Sequence, residues 1–278
     1  MASSTLSTTC KILFSKYSGA GNDFILVDDR SSLFPADDKN FIRQICHRQH
    51  GIGADGLILL QNSTKANFRF RIFNADGSEA EMCGNGVRCF AKFTQELGFK
   101  NDSFMLETMQ RILQVSFIGS KVAVDMGTAT NIHWDIKLQL KTGEKLLHFL
   151  DTGVPHAVLF VESLNTFDVV NAGKEIRFHP LFQPKGTNAN FVEITNQNKL
   201  HIRTYERGVE GETLACGTGV TAAALTAAHI YNLPSPINVQ THSQETLTIS
   251  FKKENNAFSQ VIMTGNAQLI FQGNIPCK

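Results

Sequence analysis

One short turn occurs twice in this chain. Residues 81–90 read EMCGNGVRCF and residues 214–223 read LACGTGVTAA. Cys83 and Cys216 therefore each open a Cys-Gly-polar-Gly-Val step, about half the chain apart. Each copy follows a strand-like run and an acidic loop, and each is followed by a helix-forming segment. That recurrence constrains the fold more than any other feature: it asks for two related units, each placing a cysteine at a helix start.

The surrounding patterns fit that plan. CKILFSKY and DFILVDDR read as strands split by SGAGN. ADDKNFIRQICHR reads as a short helix with Asp37 as N-cap and Phe41, Ile42, Ile45 and Cys46 on one face. DGLILL and FRFRIFNADG are strands. A helix then runs from Cys83 to a stop at Gly98, with Val87, Phe90, Ala91, Thr94 and Leu97 as its less polar stripe. Residues 103–127 read as hairpin-like strands. The second half gives strand–turn–strand over HFLDTGVPHAVLFV, then strands at NANFVEI and KLHIRTYERG. Its helix spans Thr218 to Tyr231, ended by Asn232 and Pro234. INVQTH, TLTISFKK, QVIMTG and AQLIFQG close the chain as strands. The expected fold class is mixed α/β (α+β). The expected division is 1–128 with the last strand, 268–278, returning to it, and 129–267 as the second unit.

Composition narrows the function. Hydrophobic residues make up 42% and charged residues 18% of the 278, as in a globular protein. A net charge of +1 with scattered basic residues gives no pull toward nucleic acid or an anionic membrane. No apolar run is long enough to cross a bilayer. The opening MASSTLSTTCKILF lacks a basic segment followed by a long apolar one, so it reads as a short extension of a cytoplasmic protein. The six cysteines include no Cys-x-x-Cys pair, which argues against a disulfide scaffold, a closed zinc site or an oxidoreductase; no metal is expected.

A cysteine at a helix N-terminus meets unpaired N–H groups and the positive end of the helix dipole, and both favour thiolate. The glycines let a ligand approach those amides. Two such thiols on opposite faces of one carbon could invert a stereocentre: one removes a proton, the other delivers one, and the pair titrates as a unit. The helix starts would stabilise charge developing on an α-carboxylate. Such chemistry needs no cofactor.

Here the residues resemble a known family. GAGNDF (19–24), HGIGADG (50–56), FNADGSEAEMCGNGVRCFAKF (73–93), GVPH (153–156), TNANF (187–191) and YERGVEGETLACGTG (205–219) look like the ordered motifs of diaminopimelate epimerases, from about residue 12 to the end. The resemblance implies two barrel-like, mostly antiparallel sheets, each around a helix, with the active site between them. It implies pyridoxal-phosphate-independent interconversion of LL- and meso-diaminopimelate, a step toward lysine and peptidoglycan, by a homodimer. Cys83 and Cys216 take the acid–base roles. His156 and Glu206 take the part of residues that tune the thiols. Asn22, Asn74, Gly84, Asn85, Asn188, Glu206, Arg207, Gly217 and Thr218 take the substrate contacts. Read without the resemblance, Asn22, Asn74 and Asn188 fit turns, Glu206–Arg207 a solvated ion pair, and His156 a structural histidine.

The chain departs from the family pattern at Val154, where asparagine is usual, at Gly56, where some members carry glutamine, and in GVEGET, one residue longer than the short form. Val154 cannot hydrogen-bond a carboxylate or amine, so a wider substrate range that includes glutamate is expected. Other readings are a proline or hydroxyproline racemase, a phenazine-type isomerase, and a non-catalytic ligand-binding protein with redox-sensing thiols. GNDF and YERG argue against the racemase, and the paired cysteines against the phenazine type.

Overall fold

The structure, a computed structural model, describes residues 11–196, 198–255 and 257–276. The N-terminal extension and the start of the first predicted strand at Cys10 lie outside these residues, as does Cys277. The first half runs β1 (Lys11–Gly19), β2 (Asn22–Asp28), α1 (Lys39–Cys46), β3 (Gly56–Gln61), β4 (Phe68–Asn74), β5 (Glu79–Ala80), α2 (Gly84–Glu96), β6 (Ser103–Glu107), β7 (Ile112–Ile118) and β8 (Lys121–Gly127). The second runs β9 (Thr130–Leu140), β10 (Gly143–Asp151), β11 (Pro155–Phe160), α3 (Val169–Phe178), β12 (Asn188–Asn196), β13 (Lys199–Glu206), β14 (Gly211–Thr213), α4 (Gly217–Ile230), β15 (Ile237–Gln240), β16 (Thr246–Glu254), β17 (Ala257–Gly265) and β18 (Gln268–Pro276).

The strand pairings repeat. From β18 through β1, β2, β3, β4, β6 and β7 to β8, each pair is antiparallel except β2–β3 and β4–β6. From β9 through β10, β11, β12, β13, β15 and β16 to β17, each is antiparallel except β11–β12 and β13–β15. β8 and β17 pair antiparallel and join the halves. β18, last in sequence, occupies beside β1 the place that β9 occupies beside β10. Each parallel pair is bridged by a helix, as parallel strands require.

α2 and α4 lie inside the sheets that wrap them. α2 is buried continuously from Gly84 to Ala91, and α4 from Gly219 to Ala228. Both belong to one shared core. The expected apolar stripe on α2 is therefore too narrow: Arg88 and Cys89, off that stripe, are fully buried, while Leu97 is the half-exposed C-cap. α1 and α3 lie outside, each over a separate apolar cluster. The α1 N-cap is Asp38 rather than Asp37, because the Asp38 carboxylate accepts from the Phe41 N–H at 2.9 Å. α3 did not show in the sequence pattern: only Val169, Gly173 and Ile176 are buried along it, too thin a stripe for a clear period.

Candidate active site

Both thiol turns face one cavity of about 870 Å³ lined from both halves of the chain. Cys83 and Cys216 are the N-caps of α2 and α4, and both have extended backbones. Cys83 Sγ accepts from the Gly86 N–H at 3.5 Å. Cys216 Sγ makes no such cap bond and instead sits 3.4 Å from Thr218 Oγ1. The first helical residue after each thiol is a glycine packed closely against Met263. A Cβ on Gly84 would lie 2.8 Å from Met263 Cε, and one on Gly217 would lie 3.1 Å from Met263 Sδ. The two helix starts thus close on one methionine of β17, which brings the thiol turns together.

Asn85 ties the turns to each other. Its Nδ2 donates to the Ala215 carbonyl at 3.2 Å and to Asn22 Oδ1 at 3.5 Å. The same Asn22 oxygen accepts from Cys83 Sγ at 3.7 Å, and Asn22 Nδ2 donates to Asp55 at 2.6 Å. Asp55 is held in turn by Arg48, which also grips Asp23. Asn188 is buried: its Nδ2 donates to the Pro155 carbonyl and its Oδ1 accepts the Arg207 N–H, both at 2.9 Å. Asn74 lines the cavity while its amide donates to Ser78 Oγ at 3.0 Å, so it also closes a local turn. Glu206, Arg207, Gly84, Gly217 and Thr218 line the same cavity.

His156 is placed differently. It is wholly buried on β11 and is not among the cavity-lining residues. Its Nδ1 lies 3.1 Å from Asn190 Nδ2, and its Nε2 has no partner among the described residues. Asn190 accepts from Thr204 at 3.0 Å and stands directly behind α4, where a Cβ on Gly219 would come within 2.4 Å of its Oδ1. Sequence reasoning singled out neither Asn190 nor Asp55, although both lie inside quoted motifs. The available signal for Asn190 was strand period: residues 188 and 190 share a face of β12.

The thiol electrostatics correct one expectation. The helix starts favour thiolate, yet burial outweighs them. Burial and the Glu206 carboxylate push the Cys216 thiol up to about 12, against the pull of Thr218 and the Gly219 N–H. Burial likewise raises Cys83, with Gly86 and Asn85 backbone groups and Arg88 pulling the other way. A thiolate loses more on leaving water than a helix terminus returns. Burial also raises Glu206, and burial with the nearby Arg207 charge lowers His156 to about 3, keeping it neutral.

All three departures have structural readings. Val154 lines the cavity, and its carbonyl accepts the Thr152 N–H at 3.2 Å, while Thr152 Oγ1 donates to the Thr218 carbonyl at 2.9 Å. The loop that carries Val154 is thereby fastened to the start of α4. A Cβ at Gly56 would lie 2.4 Å from the Phe73 carbonyl, so no side chain fits there. The long GVEGET turn is closed by the Glu210 N–H on the Glu206 carbonyl and by an Arg177–Glu210 ion pair at 2.9 Å.

Comparison with known proteins adds to this geometry. The chain is similar over its length to solved structures of a Bacillus anthracis phenazine biosynthesis protein of the PhzF family (TM-score 0.76, 14% identity, 96% and 100% of the two chains). It is also similar to an Agrobacterium vitis hydroxyproline epimerase (TM-score 0.70, 15% identity, 96% and 92%). At those identities the likeness shows the fold. The chain is 40% identical to the diaminopimelate epimerase of Aquifex aeolicus over 94% of its own length and 97% of the relative's. It is 39% identical to that of Archaeoglobus fulgidus, over 95% and 96%. The diaminopimelate epimerase family model matches residues 14–132 and 148–270. With both cysteine turns inside those matched segments, the chain belongs to the diaminopimelate epimerase family.

Proposed function

We propose that this chain epimerises LL-diaminopimelate to the meso form without pyridoxal phosphate, using Cys83 and Cys216 as its acid–base pair. The observation that carries the reading is the pairing of two helix-start thiols on one cavity, each from a different half. One sulfur, as thiolate, takes the α-proton and becomes a thiol. The electron pair left on carbon delocalises into the carboxylate. The other thiol then delivers its proton to the opposite face and is left as thiolate, so the pair's net charge is conserved.

The N–H groups at the starts of α2 and α4, around Gly84–Asn85 and Gly217–Thr218, suit the α-carboxylate. Arg207 suits the distal carboxylate and Glu206 an ammonium. Asn22, Asn74 and Asn188 line the rest of the cleft. His156 tunes Cys216 only indirectly, through Asn190 and the α4 start, while the Glu206 charge bears on both thiols. The domain division at 128/129, with 268–278 in the first unit, is supported by the repeated pairing order.

At Val154 the cleft offers an alkyl group where the family usually offers an amide, which supports a range extending to glutamate. Loss of one hydrogen bond to a charged group costs about 1.5–3 kcal/mol. A homodimer is supported by β18, which pairs only with β1 among the described residues and exposes Leu269, Ile270 and Phe271. Among the described residues no helix is long and apolar enough to cross a membrane, and the proposed site of action is the cytoplasm.

The test is α-proton exchange in D₂O, followed by NMR, with LL-diaminopimelate and with L-glutamate. Exchange and inversion of diaminopimelate support the reading. Their absence, with ligand binding intact, would favour a binding protein instead. Exchange with diaminopimelate alone would sink the wider range.

A further inference from the structure

Arg88 is 0% exposed and stands on α2 beneath the two thiol turns. It makes no salt bridge among the described residues. Its partners are all neutral: Nη2 donates to Asn85 Oδ1 at 3.0 Å, Nη1 to the Gly84 carbonyl at 3.4 Å and to Met263 Sδ at 3.7 Å, and Nε to the Asn266 carbonyl at 3.2 Å. The niche is built for it. A Cβ on Gly265 would come within 3.1 Å of Nε, and one on Gly19 within 3.5 Å of Nη2. A buried guanidinium without a counter-ion is costly, and an alkyl side chain of similar volume would avoid that cost.

Its contacts explain its place. Asn266 lies between β17 and β18, and Met263 is the residue on which both helix starts rest. Arg88 thus ties α2 to β17 and to the return strand. It also sets Asn85, whose other end holds the Ala215 carbonyl, one residue before Cys216. The chain Arg88–Asn85–Ala215 runs from one thiol turn to the other.

We propose that Arg88 is a positioning residue that fixes the spacing of the Cys83 and Cys216 turns through Asn85 and supplies the buried positive charge neutralised by the anion at Cys83. The proposal rests on the two-thiol reading above for its catalytic meaning, but its charge role is tested without substrate. The titratable and charged groups bearing on Cys83 are Arg88 on its own helix and Glu206 on β13, and Cys83 in turn bears on Cys216 across the cleft. Those bearing on Arg88 are Cys83, Cys89 and Glu245 of the β15–β16 turn.

Two variants separate geometry from charge. Arg88→Lys keeps the charge and loses the planar fork. Arg88→Gln keeps one donor and loses the charge. Iodoacetamide alkylation of Cys83, resolved by peptide mass spectrometry against pH, reads the thiol; kcat and KM for diaminopimelate epimerisation read the spacing. For Arg88→Gln we expect the Cys83 midpoint to rise, with slower alkylation below it. For Arg88→Lys we expect an unchanged Cys83 midpoint with kcat down about tenfold or more. A folded Arg88→Gln protein with an unmoved midpoint overturns the charge role. Unchanged kcat and KM in Arg88→Lys overturn the positioning role. A protein that merely folds less well would lose kcat with no shift in the Cys83 midpoint in either variant, which also overturns the proposal. If the unmodified protein shows no epimerisation, the functional reading fails, while the Cys83 profiles still decide the charge role. Should Arg88→Gln not fold, Arg88→Met and Arg88→Lys replace it as the charge pair, read by the same profile.

Discussion

At the scale of single residues, charge and burial decide how the two sulfurs differ. Cys83 has an N–H cap from Gly86 at 3.5 Å and a buried guanidinium nearby, whereas Cys216 is lowered only by the Thr218 hydroxyl and the Gly219 N–H, with no cation among the described residues bearing on it. We expect Cys83 to alkylate at lower pH than Cys216 in the free protein. Glu206 raises both thiols, so Glu206→Gln should move both alkylation midpoints down. Truncating either cysteine to alanine should cut epimerisation by about 10²–10⁴-fold, the usual worth of a general acid or base, with ligand binding retained by calorimetry. His156 gives a stability signature. Its native value of about 3 lies below the unfolded value of 6.5, so the unfolded chain takes up a proton first as pH falls. Stability should therefore be fully present above about pH 6.5 and drop by about 1.4 kcal/mol per unit below it, down to the native value. Guanidinium unfolding at pH 7.5 and 5.5 should show this slope, and His156→Gln should flatten it. At Val154, asparagine should raise the preference for diaminopimelate over glutamate by about tenfold, the worth of one hydrogen bond to a charged group.

At the scale of elements, the helix starts are the sensitive joints. Gly219 has room for no side chain: an added Cβ would stand 2.4 Å from Asn190 Oδ1, and Asn190 is itself held by Thr204, Ala157 and His156. Gly219→Ala should therefore destabilise the protein by about 1–3 kcal/mol in chemical denaturation and lower kcat, since α4 must shift to fit. The helices behind the cysteines were legible because a Cys-Gly-x-Gly turn before a helix-forming run is a local signal. The N-cap of α1 slipped by one residue because Asp37 and Asp38 are equally good caps in sequence, and packing chose between them. α3 was missed because only a thin face of it is buried. Its existence follows instead from topology, since the parallel pair β11–β12 needs a crossover just as β2–β3 does.

At the scale of the whole molecule, the repeat is completed by the chain's end. β18 packs Phe271 edge-on against Phe14 at 5.9 Å between ring centres, and Gly273 lies under the same Phe14 ring. Deleting residues 268–278 should leave β1 paired on one side only, with β2, and uncover Phe14, destabilising the first unit, seen as loss of near-ultraviolet circular dichroism signal. The outer side of β18 exposes Ile270; the proposed homodimer predicts a dimer for the unmodified protein in sedimentation velocity, converted to monomer by Ile270→Lys without unfolding, and a monomeric unmodified protein would sink the proposal. An unchanged sedimentation coefficient would place the dimer contact elsewhere.

The sequence alone determined that there are two related units and that each sets a cysteine at a helix start. These are local facts, carried by turn chemistry and strand period over a few residues, whereas the motif residues around the cysteines were named by the family resemblance and not by any local signal. Only the tertiary structure decided that both helix starts rest on Met263, that Arg88 lies buried without a carboxylate partner, that His156 stands behind the cleft rather than on it, and that burial outweighs the helix dipoles at the thiols. Each of these depends on what residues distant in the chain bring within a few ångströms. Desolvation in particular is a property of the assembled interior, which no stretch such as CGNG or CGTG encodes by itself.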